Sequence, residues 1–247
     1  MSHLSVVKNP IKFREAFLIS VTESSIDKRY IGVIRTLLYY VWRGAFNATG
    51  EIIQGRGQPE LSLICLSTYK AFLPIIQVLR LGYSGDALVL LRALMERIAI
   101  LGYLNENQNL IKKYNEGKTN LNKDAMPWAK TYGPDHWMLL YGYLSNIVHS
   151  RNVGVASHIF EENPIGDAFL NMLPHSKPNK GSADFVLLMI WYAIGAIDPI
   201  TQKVLHLDEF QVFPNDTTVE KYVSKDDLLI YKKFLAEMTV KYGATKP

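Results

Sequence analysis

Apolar residues recur along most of this chain at the three- and four-residue spacing that puts them on one side of a helix. Between Arg29 and Asn47 they fall at Ile31, Ile34, Leu38, Val41, Trp42 and Phe46, with Arg35 and Arg43 at the margin, and Ala48-Thr49-Gly50 reads as the stop. Pro59 suits the first position of a second helix running to about Leu81, which Pro74 should kink because proline has no N–H to donate. Ser84 or Asp86 can cap a third helix, Ala87 to Leu104, that is apolar almost all round and therefore central.

Residues 105 to 134 are polar and interrupted by Gly117, Pro127, Gly133 and Pro134, with one short helix expected near Gln108 to Glu116. A helix is expected from Asp135 through Ser150, followed by a long loop containing Pro164, Pro174 and Pro178. Ser182 or Asp184 should open a buried helix from Phe185 to about His206, and Ser224 to Asp227 has the form of a cap for a final helix ending near Tyr242. Only Glu51 to Gln54 and Phe210 to Phe213 look extended, and neither alternates long enough to build a sheet. The expected fold is all-α, a bundle of about five to seven helices in a single domain over 1–247, with a core over roughly 28–206 and the helix over 224–242 packed on it.

Composition narrows the classes. With 48% hydrophobic and 20% charged residues in 247, the chain can bury a substantial core. The longest uncharged apolar run, Phe185 to Ile197, is shorter than the roughly 20 residues that span a bilayer, and no apolar stretch follows a basic start, so a cytoplasmic protein without a membrane segment is expected. Cys65 is the only cysteine, which excludes an internal disulfide and any zinc site made of several thiolates. The histidines show no ligand spacing, so neither a metal nor another cofactor is expected. The net charge of +4 is mild, but every arginine lies at or before Arg151, so an anion would be sought in the first two thirds of the chain.

Minor signals have ordinary explanations. Gly55-Arg56-Gly57 lacks the Lys-Ser/Thr of a phosphate loop. Tyr39, Tyr40, Trp42 and Arg43 fit one buried helix face with Tyr40 and Arg43 outside. Lys112, Lys113, Lys118, Lys123 and Lys130 read as a solvated surface.

Two polar groupings stand out. Arg92 and Glu96, four residues apart and about 40° around the helix, can pair within the most apolar helix. Tyr141, Ser145 and His149 recur at intervals of four and fan over about 80° of another helix, placing a phenol, a hydroxyl and an imidazole in one stripe. A histidine can take or give a proton near neutral pH, and an arginine beside it can neutralise developing negative charge. The same residues can equally form a hydrogen-bonded link between helices.

The segments Ala87 to Glu96 with Ile98 to Leu104, and Tyr141 to Asn152, resemble a family of uncharacterised bacterial helical proteins that pairs Arg-x-x-x-Glu on one helix with Tyr-x-x-x-Ser-x-x-x-His on a later one. Pro127-Trp128 resembles that family's connector, and the likeness covers about residues 60 to 155. The family is similar to HEPN-type domains, many of which act in phage defence and toxin systems as metal-independent ribonucleases. The resemblance implies a HEPN-like core with extra terminal helices, in a defence- or stress-associated module that binds RNA or a protein, a homodimer being open. The alternative it implies is a metal-independent endoribonuclease in which His149 is the base, Arg92 or Arg151 stabilises charge, and Tyr141 and Ser145 position the phosphate, with Glu96 beside Arg92. A typical HEPN ribonuclease has an arginine a few residues before its histidine. Here Gly142, Tyr143 and Leu144 fill that stretch, so the arginine would come from Arg151 or from another helix.

Overall fold

The structure, a computed structural model, describes residues 28–55, 58–80, 84–118, 120–132, 137, 141–142, 144–145, 180–206 and 216–242. All regular structure among them is helical: α1 (Lys28–Gln54), α2 (Pro59–Lys70), α3 (Phe72–Arg80), α4 (Ser84–Glu106), α5 (Ile111–Asn115), α6 (Asn122–Tyr132), α7 (Lys180–Leu205), α8 (Asp216–Val219) and α9 (Lys225–Tyr242). A single 3₁₀ turn, Gln108–Leu110, leads into α5. Seven of these helices have nine residues or more, in keeping with the expected bundle.

α4 lies at the centre, packed against α2, α3, α6 and α7, while α1 packs against α2, α7 and α9. The all-round apolar character of α4 thus reflects neighbours on several sides. α7 is the second core helix, with Val186, Leu187, Ile190, Ala193, Ile194 and Ile197 buried. Two close approaches set the spacing. A Cβ on Gly44 of α1 would lie 2.1 Å from Cζ of Tyr69 on α2, and one on Gly102 of α4 would lie 2.1 Å from Cη2 of Trp128 on α6. Glycine lets an aromatic ring rest on the helix backbone at both positions. The Trp128 indole then donates to Glu106 Oε2 at 2.6 Å, tying α6 to the end of α4.

Several boundaries differ from expectation, each for a physical reason. α1 runs through Ala48-Thr49-Gly50 to Gln54, so Glu51 to Gln54 is helical and not extended. The Thr49 hydroxyl satisfies its helical position by donating to Ala45 O at 2.7 Å, and the helix stops at Gly55, whose φ of +65° is the left-handed conformation glycine favours. The break attributed to Pro74 falls at Ala71, between α2 and α3. Proline clashes with the carbonyl four residues earlier, which belongs to Lys70, and the Ala71 N–H is shared between Ser67 O and Thr68 O. α6 forms despite Pro127 because Leu121, Ala125 and Ala129 bury one face of it against α4. α7 begins at Lys180, so Asp184 is not a cap; it lies buried inside the helix and accepts a hydrogen bond from the Tyr30 hydroxyl at 3.1 Å.

Tyr40, expected outside, is buried and packs on Tyr231 of α9, so Tyr39, Tyr40 and Trp42 are all core residues. The five lysines read as solvated surface are exposed. The expected loop after Ser150 and the piece Phe210 to Phe213 lie outside the described residues.

The cap at Ser224 forms as expected: its Oγ accepts from the Asp227 N–H at 3.1 Å, at the start of α9. Asp227 also meets Arg35 of α1 at 3.3 Å. Ser224→Ala should therefore cost about 1 kcal/mol, read as a small downward shift of the denaturant midpoint with an unchanged slope. No shift in the midpoint would show that the Arg35–Asp227 pair and apolar packing hold α9 without the cap.

Among the described residues two stretches are long and apolar enough to cross a membrane by length and composition, Pro59–Arg80 and Ala183–Leu205, although neither contains an uncharged run of that length. In Ala183–Leu205 83% of the stretch is buried within the bundle, which accounts for its apolarity; in Pro59–Arg80 the share is 44%.

Candidate functional site

α4 presents Arg92 and Glu96 one turn apart at its edge, flanked on other faces by the buried Leu88, Leu91, Leu94, Met95 and Ala99. Opposite them is a helical stretch of which Trp137, Tyr141, Gly142, Leu144 and Ser145 are described. Trp137 and Leu144 are fully buried, and anchoring them turns Tyr141 toward α4.

Three polar groups meet there. Arg92 Nη2 lies 3.3 Å from Glu96 Oε1 and donates to the Tyr141 hydroxyl at 3.4 Å, while that hydroxyl donates to the same Glu96 oxygen at 3.1 Å. The Arg92 guanidinium carbon also sits 5.6 Å from the Tyr141 ring centre, within cation–π range. Trp137 also stacks on the phenol, rings 5.1 Å apart and inclined by 7°. The phenol is therefore held by its hydroxyl, by the guanidinium and by an indole.

The Arg92 and Glu96 side chains retain 21% and 27% of their exposure. The pair is thus not sealed in the core, as the central position of α4 had suggested, but lies where solvent reaches it. Partial hydration lowers the cost of keeping both groups charged. Arg92 Nε and Trp137 Nε1 are buried and have no hydrogen-bond acceptor among the described residues.

Chemically, a guanidinium shared between a carboxylate and a phenol is a link between helices before it is an anion receptor. A phosphate at Arg92 Nη2 would have to compete with Glu96, and Nε, which has no acceptor among the described residues, is buried. Of the residues singled out from the sequence, the structure brings together Arg92, Glu96 and Tyr141. Ser145 is one turn beyond Tyr141, half-buried and helical, and makes no hydrogen bond among the described residues. His149 and Arg151 lie outside the described residues. Trp137 was not anticipated, although its place four residues before Tyr141 put it on the same stripe.

Other sequence signals resolve simply. The Cys65 thiol is buried, and burial pushes it up to about 12, so it is inert as a nucleophile. No group of three or more His, Cys, Asp or Glu side chains that could hold a metal ion occurs among the described residues. Arg97, one residue beyond Glu96, is exposed.

Comparison with protein families, curated proteins and solved structures finds no match to this chain. The class that fold and site define is an all-helical bundle with one Arg–Glu–Tyr cluster joining its central helix to a neighbouring helical stretch.

Proposed function

We propose that the chain is a HEPN-like helical binding module, a defence- or stress-associated interaction protein, in which the Arg92–Glu96–Tyr141 cluster fixes the Tyr141 helix against α4 so that the surface it carries is presented in one orientation. The observation that carries this reading is that one Arg92 nitrogen is shared between Glu96 and Tyr141, the arrangement of a clamp. Its partner is RNA or a protein. Arg92→Ala should lower the melting temperature by several degrees, since it removes a charge-assisted hydrogen bond and leaves Glu96 with the phenol alone. Tyr141→Phe should give a smaller loss. If both variants melt like the parent, the clamp reading fails.

A second reading, a metal-independent endoribonuclease using His149 with Arg92 or Arg151, is supported by one specific feature: the Arg92 and Glu96 side chains keep part of their exposure, so the cluster is open to solvent. In that reaction His149 would remove the proton from a ribose 2′-hydroxyl, the resulting alkoxide would attack the adjacent phosphorus, and the 5′-oxygen would leave, Arg92 or Arg151 countering the charge on the phosphorane. Labelled single-stranded RNA incubated with the purified chain in excess chelator separates the readings. Cleavage that His149→Ala abolishes without changing the melting temperature establishes the enzyme. Intact RNA, or equal cleavage by parent and variant, leaves the binding module.

A further inference from the structure

A second site lies on a different face of α4. Arg97 is five residues beyond Arg92, a rotation of about 140° around the helix, so it points away from the Tyr141 cluster. It lines an open cleft of about 500 Å³ whose wall is the face of α2 carrying Glu60, Leu63, Ile64, Ser67 and Thr68, and which Tyr114 and Asn115 of α5 also line. On α2 these positions follow the spacing of one helix face, yet the face is not given over to the core: Leu63 keeps 54% of its exposure and Ile64 is half-buried.

The charges in the cleft are unused. Glu60 and Arg97 form no ion pair with each other or with any other described residue, and Tyr114 and Asn115 make no side-chain hydrogen bond among the described residues. Gln58, two residues before Glu60, hydrogen-bonds Gln108, just past the end of α4. Arg97 lies nine residues before Glu106, about two and a half turns back along that helix. The cleft therefore holds an acidic and a basic group, with aliphatic surface, a phenol and the hydroxyls of Ser67 and Thr68 also lining it. A cavity of this size is in the range that holds a small organic ligand.

We propose that this cleft binds a short zwitterionic peptide, with Arg97 forking onto its terminal carboxylate, Glu60 accepting from its terminal ammonium, and Leu63, Ile64 and Tyr114 covering an apolar side chain between them. An extended chain advances about 3.3 Å per residue, so a tripeptide carries its two terminal charges about 10 Å apart. A free amino acid is too short to reach both ends. A single anion would leave Glu60 facing it, and a single cation would leave Arg97 facing it. Asn115, with a donor and an acceptor, can pair with a peptide bond of the ligand.

Trileucine is the probe. Isothermal titration calorimetry on the full chain should show one site, and N-acetyl-trileucine amide, which has the same apolar groups without either charge, should bind at least tenfold more weakly. Arg97→Ala and Glu60→Ala should each weaken trileucine at least tenfold, and both should fold normally because the two side chains are exposed. The proposal is overturned if trileucine gives no heat at millimolar concentration, if the blocked peptide binds as well as the free one, or if binding survives either charge removal. Free leucine binding as tightly as trileucine would also overturn it, by showing that one end suffices.

Discussion

Gly44→Ala is expected to destabilise the protein by about 2–3 kcal/mol, lowering the melting temperature by about 4–12 °C, although alanine is intrinsically the better helix residue by about 1 kcal/mol. The added methyl would lie 2.1, 2.3 and 2.6 Å from Cζ, Cε1 and the hydroxyl oxygen of Tyr69. The ring has nowhere to go. Tyr69 is 1% exposed, stacked near Phe72 at 6.4 Å, and its hydroxyl is held by Thr201 at 2.9 Å. The strain must therefore separate α1 from α2. A double variant that also carries Tyr69→Leu should recover part of the loss, because the contact is then with a shorter side chain, and thermal melts of the four proteins of the cycle would show this as a coupling energy. A melting temperature that rises with Gly44→Ala alone would mean that the two helices are not in contact at this point.

The second large effect is expected from Thr201→Val, which keeps shape and removes one hydroxyl. Thr201 donates to Ile197 O at 2.9 Å, so its single proton is committed and it serves as acceptor for the Tyr69 hydroxyl. The Cys65 thiol lies 3.5 Å from the same oxygen. All three side chains are fully buried, and burial also holds the Tyr69 phenol well above its usual pKa, so it remains a neutral donor at any working pH. With valine in place, that donor is left without an acceptor in a dry core, at a cost of about 1–3 kcal/mol. In the Tyr69→Phe background, Thr201→Val should cost markedly less, since no phenol is then stranded. Equal cost in the two backgrounds, measured by denaturant unfolding, would count against the bond.

Much of the helical layout is legible in the spacing of apolar residues, because an amphipathic face carries its own period and needs no knowledge of its neighbour. α4, α9 and the Pro59 start of α2 are found within a few residues of where periodicity and capping place them. The failures share one cause. α6 is overlooked because Pro127 and a polar stretch argue against a helix locally, whereas burial of Ala125 and Ala129 against α4 outweighs that penalty. α1 overruns Gly50 because a lone glycine in a helix costs only about 1 kcal/mol, less than the packing it continues. Asp184 reads as a cap from position alone, and only the arrival of Tyr30 from a residue 154 positions away makes it a buried acceptor.

The candidate cluster divides in the same way. That Arg92 and Glu96 can pair follows from their spacing of four. That Tyr141 joins them, from 45 residues beyond Glu96, depends on how the two helices pack, as does the hydration that leaves both charges partly exposed. The cleft at Arg97 was invisible for the same reason: Glu60, Leu63 and Arg97 are unremarkable singly and become a site only when α2, α4 and α5 meet around an open space.

By itself, then, the sequence determined the helical class, the identity of the central helix and the presence of an Arg–Glu pair upon it, because each of these is local to one stretch of chain. Only the tertiary structure decided that a phenol completes that pair, that glycines at 44 and 102 are seats for aromatic rings, and that opposite charges line one cleft. Those are properties of distances between remote residues, and a one-dimensional pattern holds no distances beyond the reach of its own helix.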